Sequence, residues 1–385
     1  MSRSLRRRKY SDMLRRMMAI ILGVTAVAVL NALAFPDFGG TLPGQNQPLV
    51  PASAAAVERN LTSSLSKPQA AADSVSPIEL ARSINKARRA EVVELAATWQ
   101  KLGIDAGSFD VCGSGCEAKV FRYQLSSHNG PEVVLKLTQS FDFCRYLIFG
   151  QAKPGSWKFL GHIDHDFNKY EMARHRIATV NGKPFLVVRG QEGSGSGYAL
   201  YSETWYEVSD NGVKPVVSYP ADGHTYPWPA GLARSFKATN IPTTNRDRLT
   251  IQYTVTYDTA GYDGDNLKLT FVNRLRASYR WDAASGKFVI DPQQSNISAA
   301  EIAAIANIES DEDPKDGTKI GETTFYSSSK AFVGGGYEVF LKYNLPRLMT
   351  IAKGRAANSK SWLKQFLTEC RDTDEKKALL AALGK

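Results

Sequence analysis

Histidine and cysteine are scarce in this chain of 385 residues, at five and four respectively. No Ser/His/Asp or Cys/His arrangement stands out with recognisable local sequence, so the familiar signatures of nucleophilic hydrolysis are missing. A phosphate cradle is missing too. Gly193-Ser194-Gly195-Ser196-Gly197 lacks a following Lys-Ser/Thr and leads into strand-like residues rather than a helix, so it reads as a flexible connection. Two loops are rich in acidic residues, one with Asp258, Asp263, Asp265 and Asn266, the other with Asp311, Asp313 and Asp316. Neither has the spacing or the bidentate glutamate of an EF-hand, and both read as solvated turns. No fixed repeat length is evident.

The basic surplus is also smaller than it looks. The chain carries a net +10, but residues 1–16 hold seven basic side chains and one acidic one, a surplus of six. That leaves four for the rest of the chain. With the charge concentrated at one end and no accompanying motif, a nucleic-acid partner has no support.

What the sequence does contain begins with that basic end. An uncharged run from Met17 to Leu30 follows it, extended by Ala32-Leu33-Ala34-Phe35. A basic segment, an apolar segment and small residues at Ala32 and Ala34 describe an export signal with an Ala-x-Ala cleavage site. Residues 17–35 are also close to the ~20 needed to span a bilayer, and the basic block would hold the N-terminus in the cytoplasm. Either reading of residues 1–35, signal peptide or single transmembrane anchor, places the remainder outside the cytoplasm. Residues 36–75 are rich in Pro, Gly, Ala, Ser and Gln, too poor in large apolar side chains to offset chain entropy, and read as a flexible linker. Residues 76–385 form the folded domain.

That domain opens with a helix. Ser76 is its cap, Pro77 its first residue and Glu79 the partner in a capping box. Leu80, Ile84, Ala87, Leu95, Trp99 and Leu102 fall on one face, and Gly103 suits the stop. Strand and hairpin signals follow from residue 119 to 291, with turns at His128-Asn129-Gly130, Asn181-Gly182 and Asp210-Asn211-Gly212. The clearest stretch is 247–291. Leu249, Ile251, Tyr253, Val255 and Tyr257 alternate with Thr250, Gln252, Thr254 and Thr256, giving one apolar face and one wet face. In the next strand Phe271, Leu275, Ala277 and Tyr279 oppose Lys268, Arg274, Arg276 and Arg280. Helices return at Ser298, capped with Glu301, then after Gly336 with a break near Pro346, from Ser361, and after Asp372 or Thr373. The fold class is α+β, mainly an antiparallel β-meander (twisted sheet, sandwich or propeller-like) flanked by N- and C-terminal helices.

Three sets of residues carry chemistry. In an exported chain the four cysteines suggest disulfides, and Cys112–Cys116 with Cys144–Cys370 is the favoured pairing. His162, Asp164, His165 and His175, with Glu171 nearby, combine imidazole and carboxylate, the ligand types for a divalent metal such as zinc, manganese or iron. On a strand His162 and Asp164 would share a face and His165 would take the other. Solvated strand ends are the plainer explanation. Finally, Tyr198, Trp205, Tyr226 and Trp228, with Tyr201, Tyr206 and Tyr219, offer flat amphipathic rings suited to sugars. The competing explanation for these is cross-strand packing.

The function expected from the sequence is an exported or membrane-tethered envelope protein that binds a glycan or another envelope component, without a cofactor. The alternative is a metal-dependent hydrolase built on the His162–His175 cluster. The basic row of Lys268, Arg274, Arg276 and Arg280 reads as a wet sheet face open to anionic polymer or lipid.

Overall fold

Two kinds of strand can be told apart in this sequence, and they occupy different places in the molecule. Strands with one wet face alternate, as residues 249–257 do. Strands covered on both faces read as unbroken apolar runs, as Val133-Val134-Leu135 and Phe185-Leu186-Val187-Val188 do. The structure is a computed structural model. It describes residues 75–86, 98–104, 116–126, 130–139, 143–153, 155–166, 173–195, 198–225, 232–241, 247–259, 267–306, 317–320, 323–326, 336–370 and 372–384. The leader, nearly all of the linker, Cys112, Glu171, Tyr226, Trp228 and the aspartates at 263, 265, 311, 313 and 316 lie outside those residues.

Helix α1 (Pro77–Lys86) precedes strands β1 (Glu117–Tyr123), β2 (Glu132–Gln139), β3 (Phe143–Lys153) and β4 (Ser156–Asp166). These four form one antiparallel meander, sheet 1. Sheet 2 is an eight-stranded meander. Its strands are β5 (Arg174–Val180), β6 (Lys183–Gly195), β7 (Tyr198–Ser209), β8 (Gly212–Thr225), β9 (Ala233–Ile241), β10 (Arg248–Asp258), β11 (Thr270–Asp282) and β12 (Lys287–Ile290). After α2 (Ala299–Ala306) come a short hairpin of β13 (Gly317–Ile320) and β14 (Thr323–Tyr326), then α3 (Gly336–Lys353), α4 (Ala357–Glu369) and α5 (Asp374–Leu383). The expected class is therefore the observed one: antiparallel meanders with helices at both ends.

The apolar side chains sort into three layers of core. Leu80, Ala81 and Ile84 of α1, with Trp99, Leu102 and Ile104, cover Val133, Leu135, Leu137, Leu147 and Phe149 on one face of sheet 1. The other face, through Val134, Tyr146, Ile148, Leu160 and Ile163, packs on Leu186, Val188, Tyr206, Val208 and Val213 of sheet 2. The far face of sheet 2 carries Phe185, Val187, Trp205, Ile251, Tyr253, Val255 and Phe271 and is covered by α2–α5. The order is helix, sheet, sheet, helix. β2 and β6 alternate between two cores, which explains their unbroken apolar runs.

Sheet 2 also coils on itself, as twisted sheets of many strands do. β8 pairs with β7 from Gly212 to Thr225 but with β9 only from Asp222 to Thr225. The far edge then folds back: the Phe185 ring of β6 lies 5.7 Å from Phe288 of β12, and Lys214 Nζ donates to the Ser285 carbonyl at 3.2 Å. The exposed edge of β11 beyond β12 is closed by other means. Ser295 Oγ accepts from Ser278 N, Asn296 Oδ1 accepts from Arg276 N, and Arg347 donates to the Thr270 carbonyl.

The caps read from sequence are present. Ser298 and Glu301 bond reciprocally at the start of α2, and Thr373 rather than Asp372 caps α5. Several local expectations differ. β9, β13 and β14 were not expected. β6 continues through Gly193, Ser194 and Gly195, which pair with Leu200, Ala199 and Tyr198, so part of the supposed flexible connection is ladder. α4 begins at Ala357, four residues before Ser361. α3 runs unbroken through Pro346, which lies on its exposed side, where a carbonyl deprived of its helical donor can be hydrated.

The Cys144–Cys370 disulfide is not formed. Cys144 lies between the two sheets, and Cys370 lies in the core on the other side of sheet 2. Its Sγ donates to the Phe366 carbonyl at 3.3 Å. A bond would need Cα atoms within about 7 Å, which an intervening sheet prevents. Burial pushes the Cys144 thiol up to about 11, so it stays protonated.

The contact between the sheets depends on one glycine. A Cβ on Gly190 would stand 1.3 Å from His165 Nε2, because the imidazole lies directly on that backbone. Gly190→Ala should destabilise the fold by about 1–3 kcal/mol through overpacking. Urea unfolding measures this, and adding His165→Ala should recover part of the loss.

Candidate functional site

The histidine–carboxylate residues come first because their spacing was most suggestive. β3 and β4 pair so that Arg145 faces Asp164, Leu147 faces His162 and Cys144 faces His165. As expected for a strand, His162 and Asp164 share a face and His165 takes the other. Arg145, with a side chain 1% exposed, donates from Nε and from Nη2 (2.6 Å) to both carboxylate oxygens of Asp164. His162 Nε2 lies 3.6 Å from the same carboxylate. A guanidinium already neutralises the one acid in this group, leaving little field for a cation. Burial lowers the His162 pKa, against the pull of Asp164.

His165 is on the opposite face, over Gly190, and His175 is on a different sheet. The His175 imidazole is enclosed by rings. Phe121 and Tyr146 meet it edge-on at 4.5 and 5.3 Å, and its Nε2 shares a 2.9 Å hydrogen bond with the Tyr123 hydroxyl. Lys136, on β2 of sheet 1, donates to the Ala173 carbonyl at 2.5 Å. Burial, and secondarily the Lys136 charge, bring the His175 pKa down to about 4. Burial also raises that of Tyr123. Neither partner ionises near neutrality, so the pair is a packed hydrogen bond rather than a proton relay. The four candidate ligands are thus not brought to one point. Among the described residues no group of three or more His, Cys, Asp or Glu is arranged to hold a metal ion.

The aromatic set divides. Trp205 is fully buried, 5.9 Å from the Phe185 ring and under the Arg176 guanidinium at 5.6 Å. Tyr206 and Tyr219 are buried as well. The packing explanation holds for these three, because Trp205 occupies a core-facing position on β7. Its Nε1 donates to the Tyr219 hydroxyl at 3.4 Å, which donates to Glu203 at 2.7 Å, and Arg176 binds the same carboxylate at 2.7 Å. Trp205 is therefore not a surface for ligand. β7 begins at Tyr198, and Tyr226 and Trp228 lie outside the described residues.

A smaller polar group stands near the ends of β6–β8. The Arg189 guanidinium lies over the half-buried Tyr201 ring at 5.2 Å, with Asp222 3.7 Å away. Tyr201 pairs with Asp222 and with Gln191 across the two ladders. This group offers a flat ring face, a cation and a carboxylate within one reach. Arg189 and Asp222 were not singled out in the sequence. A bulge between Tyr201 and Ser202 sets Asp222 opposite Tyr201, and no local pattern announces it.

Set against known protein families, curated proteins and solved structures, the chain matches none. Among the described residues no helix is long and apolar enough to cross a membrane.

The titration of the buried imidazoles has a sign that can be worked out. His175 is near 6.5 when unfolded and about 4 when folded, so between those values the unfolded chain binds more protons. The stabilisation is fully present above pH 6.5 and is lost as pH falls toward 4. His162 contributes with the same sign. Urea midpoints should drop between pH 7 and pH 4.5, and His175→Phe should make that drop smaller than in the parent protein.

Proposed function

We propose that this chain is an exported or membrane-tethered envelope protein that acts by binding, with a glycan or glycan-bearing envelope component as ligand. The reading rests on the Arg189–Tyr201–Asp222 group. Sugars combine apolar C–H faces, which stack on aromatic rings, with hydroxyls, which need charged or polar partners at the rim. Tyr201 supplies the ring, and Arg189 and Asp222 supply the rim. Tyr226 and Trp228 follow β8 directly in sequence, and Tyr198 begins β7, so three further rings belong to the same stretch of chain. The basic and apolar leader supports export. The metal-dependent hydrolase has no observation in its favour, since His162, Asp164, His165 and His175 are taken up in separate contacts.

Binding of the full-length protein, in neutral detergent, to an array of neutral and charged glycans tests the reading. Tyr201→Ala should weaken retention about tenfold, the equivalent of one aromatic stacking contact. Asp222→Asn should act in the same direction. Retention of no glycan, or equal retention by parent and both variants, would sink the proposal. Export is checked separately, by fusing residues 1–75 to a reporter that matures only outside the cytoplasm.

A further inference from the structure

Sheet 1 covers the outer face of sheet 2 only over its first strands. The outer face of β9–β11 is left to solvent, and Lys237, Thr239, Val272, Arg274 and Arg276 on it are exposed. The register sets Lys237, Thr254 and Arg274 in one row across the three strands, and Thr239, Gln252 and Arg276 in the next. Standard sheet spacings put the α-carbons of Arg274 and Arg276 about 6.7 Å apart and those of Lys237 and Arg274 about 9.6 Å apart.

Four other cations of sheet 2 meet acids. Arg176 meets Glu203, Lys183 meets Glu207, Arg189 meets Asp222 and Arg248 meets Asp291. Among the described residues, Lys237, Arg274 and Arg276 form no ion pair. One acid, Asp222, stands opposite Lys237 and is engaged by Arg189 at 3.7 Å, and the other acids of this face stand at its ends. Asp258 accepts from Thr270 Oγ1, while Asp282 and Asp291 lie near Arg280. Edge protection does not explain the charges. β11 is not an open edge, since β12, Ser295, Asn296 and Arg347 close its far side.

We propose that this face is a second binding surface and that its occupant is an extended acidic polysaccharide, with a carboxylate, sulfate or phosphate recurring along the chain. Charge complementarity gives the sign of the partner, and the rest of the face gives its class. The side chains between the cations are Thr239, Gln252, Thr254 and Thr256, hydroxyls and an amide that bond sugar hydroxyls. Among the described residues, β9–β11 present no aromatic side chain on this face on which nucleic-acid bases could stack. Among the described residues Val272 is its one large exposed apolar side chain, too little to insert into a lipid surface. The surface adjoins the Tyr201 group, since Asp222 stands opposite Lys237, but its cations lie on other strands and its binding does not need the Tyr201 ring.

The test uses the full-length protein in neutral detergent with polygalacturonate and dextran sulfate as probes and dextran as the neutral control. The decisive variant combines Lys237→Gln, Arg274→Gln and Arg276→Gln, all solvent-exposed positions whose replacement leaves the core untouched. A second triple, Lys153→Gln, Lys353→Gln and Lys364→Gln, removes the same charge from other exposed positions. The parent should bind both acidic polymers and not dextran, with affinity falling as salt rises. The first triple should lose at least about tenfold at about 50 mM salt and show a flatter salt dependence. The second should behave as the parent, and so should Tyr201→Ala, which removes a ring but no charge and so distinguishes this surface from the site around Tyr201. No binding of acidic polymer, an unchanged first triple or an equal loss in the second triple overturns the proposal. So does preferential binding to phosphatidylglycerol vesicles or to a single-stranded oligonucleotide.

Discussion

Strand β6 has no wet face, and most of the architecture follows from that constraint. Phe185 and Val187 belong to one core, Leu186 and Val188 to another, and all four are buried. Burial of such side chains stabilises by roughly 1.5–3 kcal/mol each, but only if both faces are covered. One cover is sheet 1, the other the C-terminal helices together with the returning edge of β12. Gly190 on the same strand lets the His165 ring lie against its backbone, so the sheets approach closely there. Because sheet 1 has four strands and sheet 2 has eight, only part of the outer face of sheet 2 can be covered. The strands beyond it must carry polar outer faces, and β10 and β11 do.

The sequence reading succeeded where a residue's partners are set by neighbours along the chain. The alternation of β10, the Asn181-Gly182 turn and the Ser298–Glu301 capping box are all local, and all are present. Asn181, with φ at 51°, and Gly182, with φ at 74°, take the left-handed conformations that such a turn requires. Reading failed where the third dimension decides. β9 has a single fully buried core side chain, Phe236, and no clean alternation, so its assignment depends on pairing with β10. Trp205 and an exposed tryptophan look alike in sequence, and only the curl that brings β12 back toward β6 settles its burial. The Cys144–Cys370 pairing assumed that two distant cysteines meet, but a sheet lies between them.

The His162–His175 segment shows why ligand-type residues close in sequence form a weak signal. Strand geometry sends His162 and Asp164 one way and His165 the other, and the connection to β5 carries His175 to the second sheet. Each group then finds the cheapest local compensation. Asp164 takes the buried Arg145 guanidinium, and His175 takes Tyr123 and gives up its charge. An uncompensated buried charge costs several kcal/mol, so such groups are paired or neutralised where they are buried.

The same logic, applied to the surface, makes the outer face of β9–β11 informative. Exposed charges carry little desolvation penalty, so nothing in folding forces Lys237, Arg274 and Arg276 to be paired. Yet the acids that meet Arg176, Lys183 and Arg189 on the neighbouring strands show that sheet 2 readily places a carboxylate opposite a cation. On β10, between the rows, the corresponding positions hold Gln252, Thr254 and Thr256 instead. A single Glu at position 254 would stand beside both Lys237 and Arg274 and relieve their repulsion. Threonine at that position keeps the field of the face positive and supplies a hydroxyl, which suits a partner that brings its own negative charge.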